Sequence, residues 1–367
     1  MTLKNGRRRG QVCAPRSKSH EHRLLIADFL AGDMTRLAPA DGDADDIIAT
    51  KRCLAALATD DAAPLLDCGE SGSTRRFLAP VAAALGKHPV YKTAGRLAER
   101  PQIAYDDLKP GEFALEGDVS SQFVTGLLFA LPLLDGDSSI RFTSPLQSKD
   151  YVEMTRRVLI GAGIYVGVRE DGFDVPGNQA YLPQPDAEVE GDWSGAAFWY
   201  GMNALGSEII VTGLSKDSVQ PDRAVVEFAR RISTAWNGEK VGVDVSGCPD
   251  IFPVLSVVAG ASSGETLFTG TRRLRIKESD RVEAMAQALE RFGVETSAEE
   301  NSFTVRGTGG PLRGGSFESY SDHRIAMAIA VGATVADGPV EIDDAACVAK
   351  SYPMFFDTLE KLQFADS

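Results

Sequence analysis

The chain has 367 residues, 43% of them hydrophobic and 25% charged, with a formal net charge of −14. That length suggests two domains with ample material for a core, and the composition is that of a soluble globular protein. The acidic balance argues against nucleic acid as a main partner; no apolar run reaches bilayer length, and no signal-type apolar segment follows the basic Arg7–Arg9.

Six segments in chain order share one plan, a polar opening with Gly or Ser followed by an apolar helix. They are "SKSHEHRLLIADFLAG", "ESGSTRRFLAPVAAALG", "DVSSQFVTGLLFALPLL", "GDWSGAAFWYGMNALG", "GCPDIFPVLSVVAGASSG" and "YSDHRIAMAIAVGATVADG". Apolar nearly all round, these helices should be buried, and most end at Gly, a natural stop. Strand-like runs such as "SSIRFTS", "EIIVTG" and "ETLFTG" follow most of them. Between them lie more amphipathic helices: "DDIIATKRCLAALA", "VEMTRRVLIGAG", "PDRAVVEFARRI", "DRVEAMAQALERFG" and "YPMFFDTLEKLQF". Six such units over two domains predict an α/β architecture with three units per domain.

The openings place free backbone N–H groups at positive helix ends, which are ready anion sites. Several also carry a cation: Lys18, Arg23, Arg75, Arg76 and Arg324. Any one opening is explained by capping alone; several together point to a multiply charged small anion. The segment "LRIKESDRVEAMAQALERFG" poses the sharpest local question. Ser279 suits the helix cap, Asp280 suits the positive helix end, and Val282, Met285, Leu289 and Phe292 form the buried stripe. Lys277 and Arg281 are cations at the end where the helix dipole disfavours them. The five cysteines are scattered without a C-x-x-C pair and read as reduced thiols. Only four histidines are present, which argues against a zinc site, and His20 and His22, two apart, face different sides of a helix.

Taken together and in this order, "SKSHEHR", "ESGSTRR", "SSQFVTGLL", "KESDR", "SDHRIAMA" and "AKSYP" resemble the 5-enolpyruvylshikimate-3-phosphate synthase family of enolpyruvyl transferases, from about Pro15 to about Leu362. The resemblance implies two similar domains, each of three βαβαββ units in an inside-out α/β barrel, with two crossings near Arg16 and Glu190. The first domain would span 17–190; the second, discontinuous, would combine 1–16 with 191–367. The implied reaction transfers the enolpyruvyl group of phosphoenolpyruvate to the 5-hydroxyl of shikimate 3-phosphate and releases phosphate, in the shikimate pathway to chorismate and the aromatic amino acids. It needs no metal or other cofactor, and would belong to a cytoplasmic monomer of the class that glyphosate targets.

By the same resemblance, shikimate 3-phosphate should contact Lys18, Ser19, Arg23, Ser120, Ser121, Gln122, Ser148, Asp250 and Lys277. Phosphoenolpyruvate should contact Lys18, Gly72, Arg100, Gln122, Arg281, Arg324 and Lys350. Asp250 resembles the base for the attacking hydroxyl, Glu278 the proton donor to the methylene carbon, and His323 and Lys350 should lie beside them. The residue types suit the chemistry, because two phosphorylated carboxylates repel unless fixed cations offset their charge. Without the resemblance, Asp250 also reads as a helix cap and Glu278 as an ion-pair partner of Lys277 or Arg281. Glu70 stands where many relatives have Asn, and pairing with Arg75 or a nearby Lys would offset its charge near a phosphate site. Arg273 and Phe77 are further departures, and the stretches around Thr59–Pro64 and Ile103–Gly111 are compressed. The alternatives are the related UDP-N-acetylglucosamine enolpyruvyl transferases, which carry a loop Cys near "GRLAERP" that is missing here, and a non-catalytic anion-binding relative. Phosphate release with each acceptor discriminates them.

Overall fold

The computed structural model describes residues 1–365. The chain divides into two compact units, one of Lys18–Val189 and one of Met1–Ser17 with Glu190–Ser367. The two passages of chain between them run side by side: Arg16 bridges Gly191 in antiparallel sense. Around that bridge the Ser17 N–H donates to the Glu190 carbonyl at 2.8 Å and the Asp192 N–H to the Pro15 carbonyl at 2.8 Å.

The helices are α1 (Lys18–Leu30), α2 (Asp45–Leu57), α3 (Gly72–Ala84), α4 (Ser121–Ala130), α5 (Lys149–Gly161), α6 (Trp193–Ala204), α7 (Val225–Ser233), α8 (Phe252–Ala261), α9 (Arg281–Arg291), α10 (His323–Gly332) and α11 (Phe355–Lys361). The six apolar segments of the sequence become α1, α3, α4, α6, α8 and α10. In five of the six, the helix is associated with a parallel strand pair. Leu65–Gly69 pairs with Val90–Thr93 across α3, and Glu112–Leu115 with Ser138–Phe142 across α4. Lys240–Asp244 pairs with Glu265–Thr269 across α8, and Gly315–Phe317 with Val340–Ile342 across α10. The fifth pair, Arg8–Cys13 with Glu208–Thr212, is assembled from distant segments, with α6 just before its second strand. No such pair flanks α1 among the described residues.

The βαβαββ plan is complete twice. After α5, Gly167–Arg169 and Gly172–Val175 form a hairpin that extends the sheet of Glu112–Leu115 and Ser138–Phe142; after α9, Glu295–Ala298 and Ser302–Arg306 extend that of Lys240–Asp244 and Glu265–Thr269 in the same way. Among the described residues the copies around α3, α6 and α10 keep the parallel pair without such a hairpin, and the α1 copy lacks the pair.

Each unit has its own core. In Lys18–Val189 it is built from Leu24 and Leu25 of α1, Phe77 and Leu78 of α3, and Leu127 and Phe129 of α4, with Leu54 of α2 and Leu159 of α5 packed against them. In the other unit Phe198 and Trp199 of α6, Val254 and Leu255 of α8, and Ile325 and Met327 of α10 are buried together. The amphipathic helices present one face, as α9 does with Val282, Met285, Leu289 and Phe292 inward and Glu283 and Glu290 exposed. No helix among the described residues is long and apolar enough to cross a membrane.

Glycines set the closest approach of the central helices. A Cβ on Gly126 of α4 would lie 2.5 Å from the Arg76 carbonyl oxygen and 2.9 Å from Cγ of Pro80, both on α3. Gly126→Ala therefore has to push α3 and α4 away from each other, and should cost about 1–3 kcal/mol in urea denaturation. Gly242→Ala is the control: a Cβ there meets nothing within 4 Å, and its effect should stay under about 1 kcal/mol. Equal effects of the two would show that the α3–α4 contact is not set by Gly126.

Candidate active site

The unit containing both chain ends concentrates charge at three helix starts. Asp250 lies in a short 3-10 turn, Pro249–Ile251, that leads into α8. Lys277, Glu278 and Ser279 precede α9, whose first residue is Arg281. Asp322, His323 and Arg324 open α10. Lys350 ends the turn Ala345–Lys350, which packs on α10.

Arg281 binds this cluster together. Its side chain is 1% exposed, and its fork is spent on three carboxylates. Nε donates to Asp322 at 2.9 Å, one terminal nitrogen to Asp250 at 2.8 Å, and the other to Glu278 at 2.8 Å. Asp250 also receives Arg324 at 2.9 Å and faces Lys277 at 4.0 Å. The unfavourable dipole position of Arg281 is thus offset by direct charge pairing. Burial alone would raise the Asp250 carboxyl, but Arg324, Lys277 and Arg281 together hold it far below the usual carboxylate range. Burial pushes the Lys277 ammonium down to about 8, against the pull of Asp250.

Asp322 does three things at once. It accepts from Arg281, accepts the Ser279 hydroxyl at 3.0 Å, and caps α10 by accepting the Arg324 N–H at 2.9 Å. The motif "SDHR" contains Asp322 but gives no sign of this role, since Ser279 and Arg281 lie 43 and 41 residues away. His323 is buried with Nδ1 3.7 Å from Asp322. Two local expectations need correction. Ser279 is not the cap of α9: Asp280 is, accepting the N–H groups of Val282 and Glu283 at 3.1 Å each. Asp250 makes no side-chain cap on the helix it precedes; its oxygens serve the cations. The expected ion pair of Glu278 forms with Arg281.

In Lys18–Val189 the sites are again helix starts. Lys18 opens α1 and its ammonium contacts Asp46 on α2 at 2.7 Å, with Ser19 next in the same turn. Gly72 opens α3, capped by Ser71. A Cβ on Gly72 would lie 3.1 Å from one terminal nitrogen of Arg76 and 3.2 Å from one of Arg100, so the missing side chain leaves two guanidinium groups converging on one helix end. Gln122, in the first turn of α4, joins them: its amide oxygen accepts from Arg76 at 2.6 Å and its nitrogen donates to Ser73 at 3.0 Å. Ser120 caps that helix and Ser121 starts it. The sequence marks Arg76 as a cation at a helix opening but does not assign it a ligand.

Ser148 begins α5 in the left-handed region, at φ 54°, a conformation that costs a non-glycine residue energy and is enriched at functional sites. Arg23, on α1, reaches across to α5. It is 3% exposed, and donates to the Thr155 hydroxyl at 2.9 Å, to the Tyr151 carbonyl at 3.0 Å and to the Ser19 carbonyl. Burial lowers its pKa to about 9. Arg75, expected as a partner for Glu70, lies over the Tyr91 ring at 3.5 Å, while the Glu70 carboxylate occupies the space a Cβ on Gly95 would need. Phe77 is a core residue at 1% exposure.

Comparison with known proteins adds to this geometry. The family model described as EPSP synthase (3-phosphoshikimate 1-carboxyvinyltransferase) matches residues 94–359. The chain is 38% identical to a 3-phosphoshikimate 1-carboxyvinyltransferase of Clostridium kluyveri, over 96% of this chain and 95% of that protein. It is 35% identical to one of Clostridioides difficile over 96% and 95%. Its fold matches an EPSP synthase from Acinetobacter baumannii with a TM-score of 0.75 at 22% identity, covering 100% of this chain and 98% of the other. It also matches the enolpyruvyl transferase NikO from Streptomyces tendae with a TM-score of 0.71 at 14% identity, over 99% and 97%. The chain therefore has the two-domain inside-out α/β architecture of these proteins.

The charge cluster makes a stability prediction with a sign. Asp322→Ala leaves a buried guanidinium short of its charge partner and should cost about 3–5 kcal/mol in urea denaturation, against about 1 kcal/mol for the cap loss in Asp280→Ala. Because the folded-state pKa of Asp250 lies below its unfolded value of about 3.9, its contribution is present above that pH and is lost as the pH falls below it. Asp250→Asn should accordingly flatten the acid limb of the stability curve below about pH 4. An unchanged limb would mean the pairing contributes nothing.

Proposed function

The chain belongs to the EPSP synthase family, and from that premise we propose that it transfers the enolpyruvyl group of phosphoenolpyruvate to the 5-hydroxyl of shikimate 3-phosphate, releasing phosphate. The observation that carries the reading is the buried Arg281 with Asp250, Glu278 and Asp322 around it and Arg324 and Lys277 alongside. Two of these carboxylates are the ones assigned to proton transfer, and they are held by the cations assigned to the substrates.

That arrangement suggests how binding and chemistry are linked. Anionic groups arriving at Arg324 and Arg281 compete with Asp250 and Glu278 for the same N–H donors. Each donor drawn to a substrate oxygen releases a protein carboxylate to some degree, and an Asp250 relieved of its cations becomes more basic. Asp250 then takes the proton of the attacking hydroxyl as its oxygen bonds to the carbon bearing the phosphate. Glu278, protonated from solvent as Arg281 turns to the substrate, gives that proton to the methylene carbon, which becomes a methyl group. The tetrahedral intermediate decays as the carbon–oxygen bond to phosphate breaks, the leaving phosphate taking the proton held by Asp250, while the Glu278 carboxylate removes a methyl proton and restores the double bond.

In Lys18–Val189, Gly72, Arg76, Arg100 and Gln122 form a converging donor set for phosphoenolpyruvate. Lys18, Ser19, Ser120, Ser121 and Ser148 offer a platform of hydroxyls and charge for shikimate 3-phosphate. Arg23, whose bonds to Thr155 and Tyr151 hold α1 against α5, adds a cation to that platform. The protein works as a cytoplasmic monomer, with its five cysteines as thiols.

Purified protein should release phosphate only with both substrates, in buffer without added metal, and not with UDP-N-acetylglucosamine as acceptor. Glu278→Gln should lower kcat by about a hundredfold or more with smaller changes in KM; near-normal turnover would remove Glu278 from the chemistry. Lys277 supplies a pH test. Its ammonium loses its charge as the pH rises through about 8, so kcat/KM for shikimate 3-phosphate should fall above that pH. Lys277→Arg, charged throughout, should move this limb upward; an identical profile in the variant would assign the limb to another group.

A further inference from the structure

In Lys18–Val189, α1 and α2 are joined by two rungs with matching spacing. Lys18 reaches Asp46 at 2.7 Å, and four residues further along each helix His22 Nδ1 meets the Thr50 hydroxyl at 2.8 Å. The second rung continues. The Thr50 hydroxyl meets that of Thr74 on α3 at 2.6 Å, and the Thr74 hydroxyl donates to Ser71 Oγ at 2.7 Å. Ser71 is the cap of α3, accepting the Thr74 N–H at 3.2 Å. Its neighbour is Gly72, on which Arg76 and Arg100 converge. His22, Thr50 and Thr74 are 0% exposed and Ser71 1%.

The chain of bonds has a direction. If Thr74 donates to Ser71, its oxygen must accept from Thr50, and Thr50 must accept from His22. The imidazole then carries its single proton on Nδ1. The other ring nitrogen, Nε2, is buried with no hydrogen-bond partner; a bare lone pair there is less costly than an orphaned N–H, which favours the same tautomer. Burial keeps the ring neutral, with its pKa pushed down to about 3 although Asp46 pulls the other way. The ring also stands edge-on to Phe77 of α3, with centroids 6.2 Å apart.

We propose that His22 is a positioning residue for the phosphoenolpyruvate subsite, acting as Nδ1–H donor at the head of the relay His22–Thr50–Thr74–Ser71 that fixes the first turn of α3. This rests on the functional reading above and deepens it, because His22 touches neither substrate. It sets where Gly72 and Ser73 stand relative to the cations on either side. A wholly apolar packing role for His22 would require none of these hydroxyls.

Two measurements on the full-length protein test it. Nitrogen-15 NMR of the four histidines, with His22→Asn to assign the signal, should show His22 as the Nδ1–H tautomer and neutral down to the acid edge of stability; an Nε2–H signal overturns the proposal. This arm needs no turnover, so its failure is distinguishable from failure of the functional reading. In kinetics, His22→Leu and Thr50→Val should each raise KM for phosphoenolpyruvate about fivefold or more, the size expected for one lost positioned hydrogen bond. KM for shikimate 3-phosphate should stay within about twofold, because the Lys18–Asp46 rung is untouched. The double variant should be no worse than the worse single one, since both break one relay. His22→Asn, whose amide N–H falls near the position of Nδ1, should restore most of the loss. Unchanged KM in Thr50→Val, additive effects, or no rescue by Asn overturns the proposal, and Thr50→Val keeps the test open should His22→Leu fail to fold.

Discussion

A guanidinium group in a protein interior has five N–H donors and one charge, and every one of them must be answered. Arg281 imposes that demand on the unit containing both chain ends. Its answers come from Asp250, Glu278 and Asp322, which stand at the starts of three different helices or just before them. The turn before α8, the approach to α9 and the opening of α10 must therefore converge on one point. The convergence also gathers Arg324 and Lys277, so one structural requirement assembles cations and carboxylates in near balance. A site whose charges are already matched among themselves is stable without a ligand and can exchange partners with one, provided the incoming group is an anion of similar geometry.

The two units use the same device, helix N-termini beside cations, with different chemistry. In Lys18–Val189 the helix caps with side-chain bonds are hydroxyls, Ser71 and Ser120, and Arg76 beside them is clasped by the neutral Gln122, while Lys18 pairs with Asp46. In the other unit the caps are carboxylates, Asp192, Asp280 and Asp322. Neutral caps leave the positive helix end available for a bound oxygen; carboxylate caps neutralise it and bring groups able to carry protons.

Much of the fold is legible in the sequence because burial writes itself as composition. The six helices that are apolar all round lie in the cores, and the stripe on α9 faces inward as its spacing requires. Pairing across the chain is less legible. Ser279 and Asp280 both satisfy the local rule for a cap, and the choice falls to Asp280 because Asp322, 43 residues away, takes the Ser279 hydroxyl. The reach of Arg23 to Thr155 and Tyr151 on α5 spans 132 and 128 residues and leaves no mark in its motif. Glu70 and Arg75 are close enough in sequence to invite pairing, but Arg75 finds the Tyr91 ring instead. The helix without a strand pair, α1, follows the same rule: its apolar face records burial, and nothing in that face records which strands surround it.

The antiparallel bridge at Arg16 and Gly191 has a consequence for synthesis. The strand Arg8–Cys13 leaves the ribosome before any of Lys18–Val189, but its partners are Glu208–Thr212 and Gln363–Phe364. While the inserted unit emerges and folds by itself, this strand has no neighbour on either edge. Its sequence, "RRGQVC", opens with two arginines and a glycine, which keep it from being an attractive template for another nascent chain. A strand made before the inserted unit and paired only after it thus carries its own charge, and that charge guards the interval in which the translated chain is most exposed to aggregation.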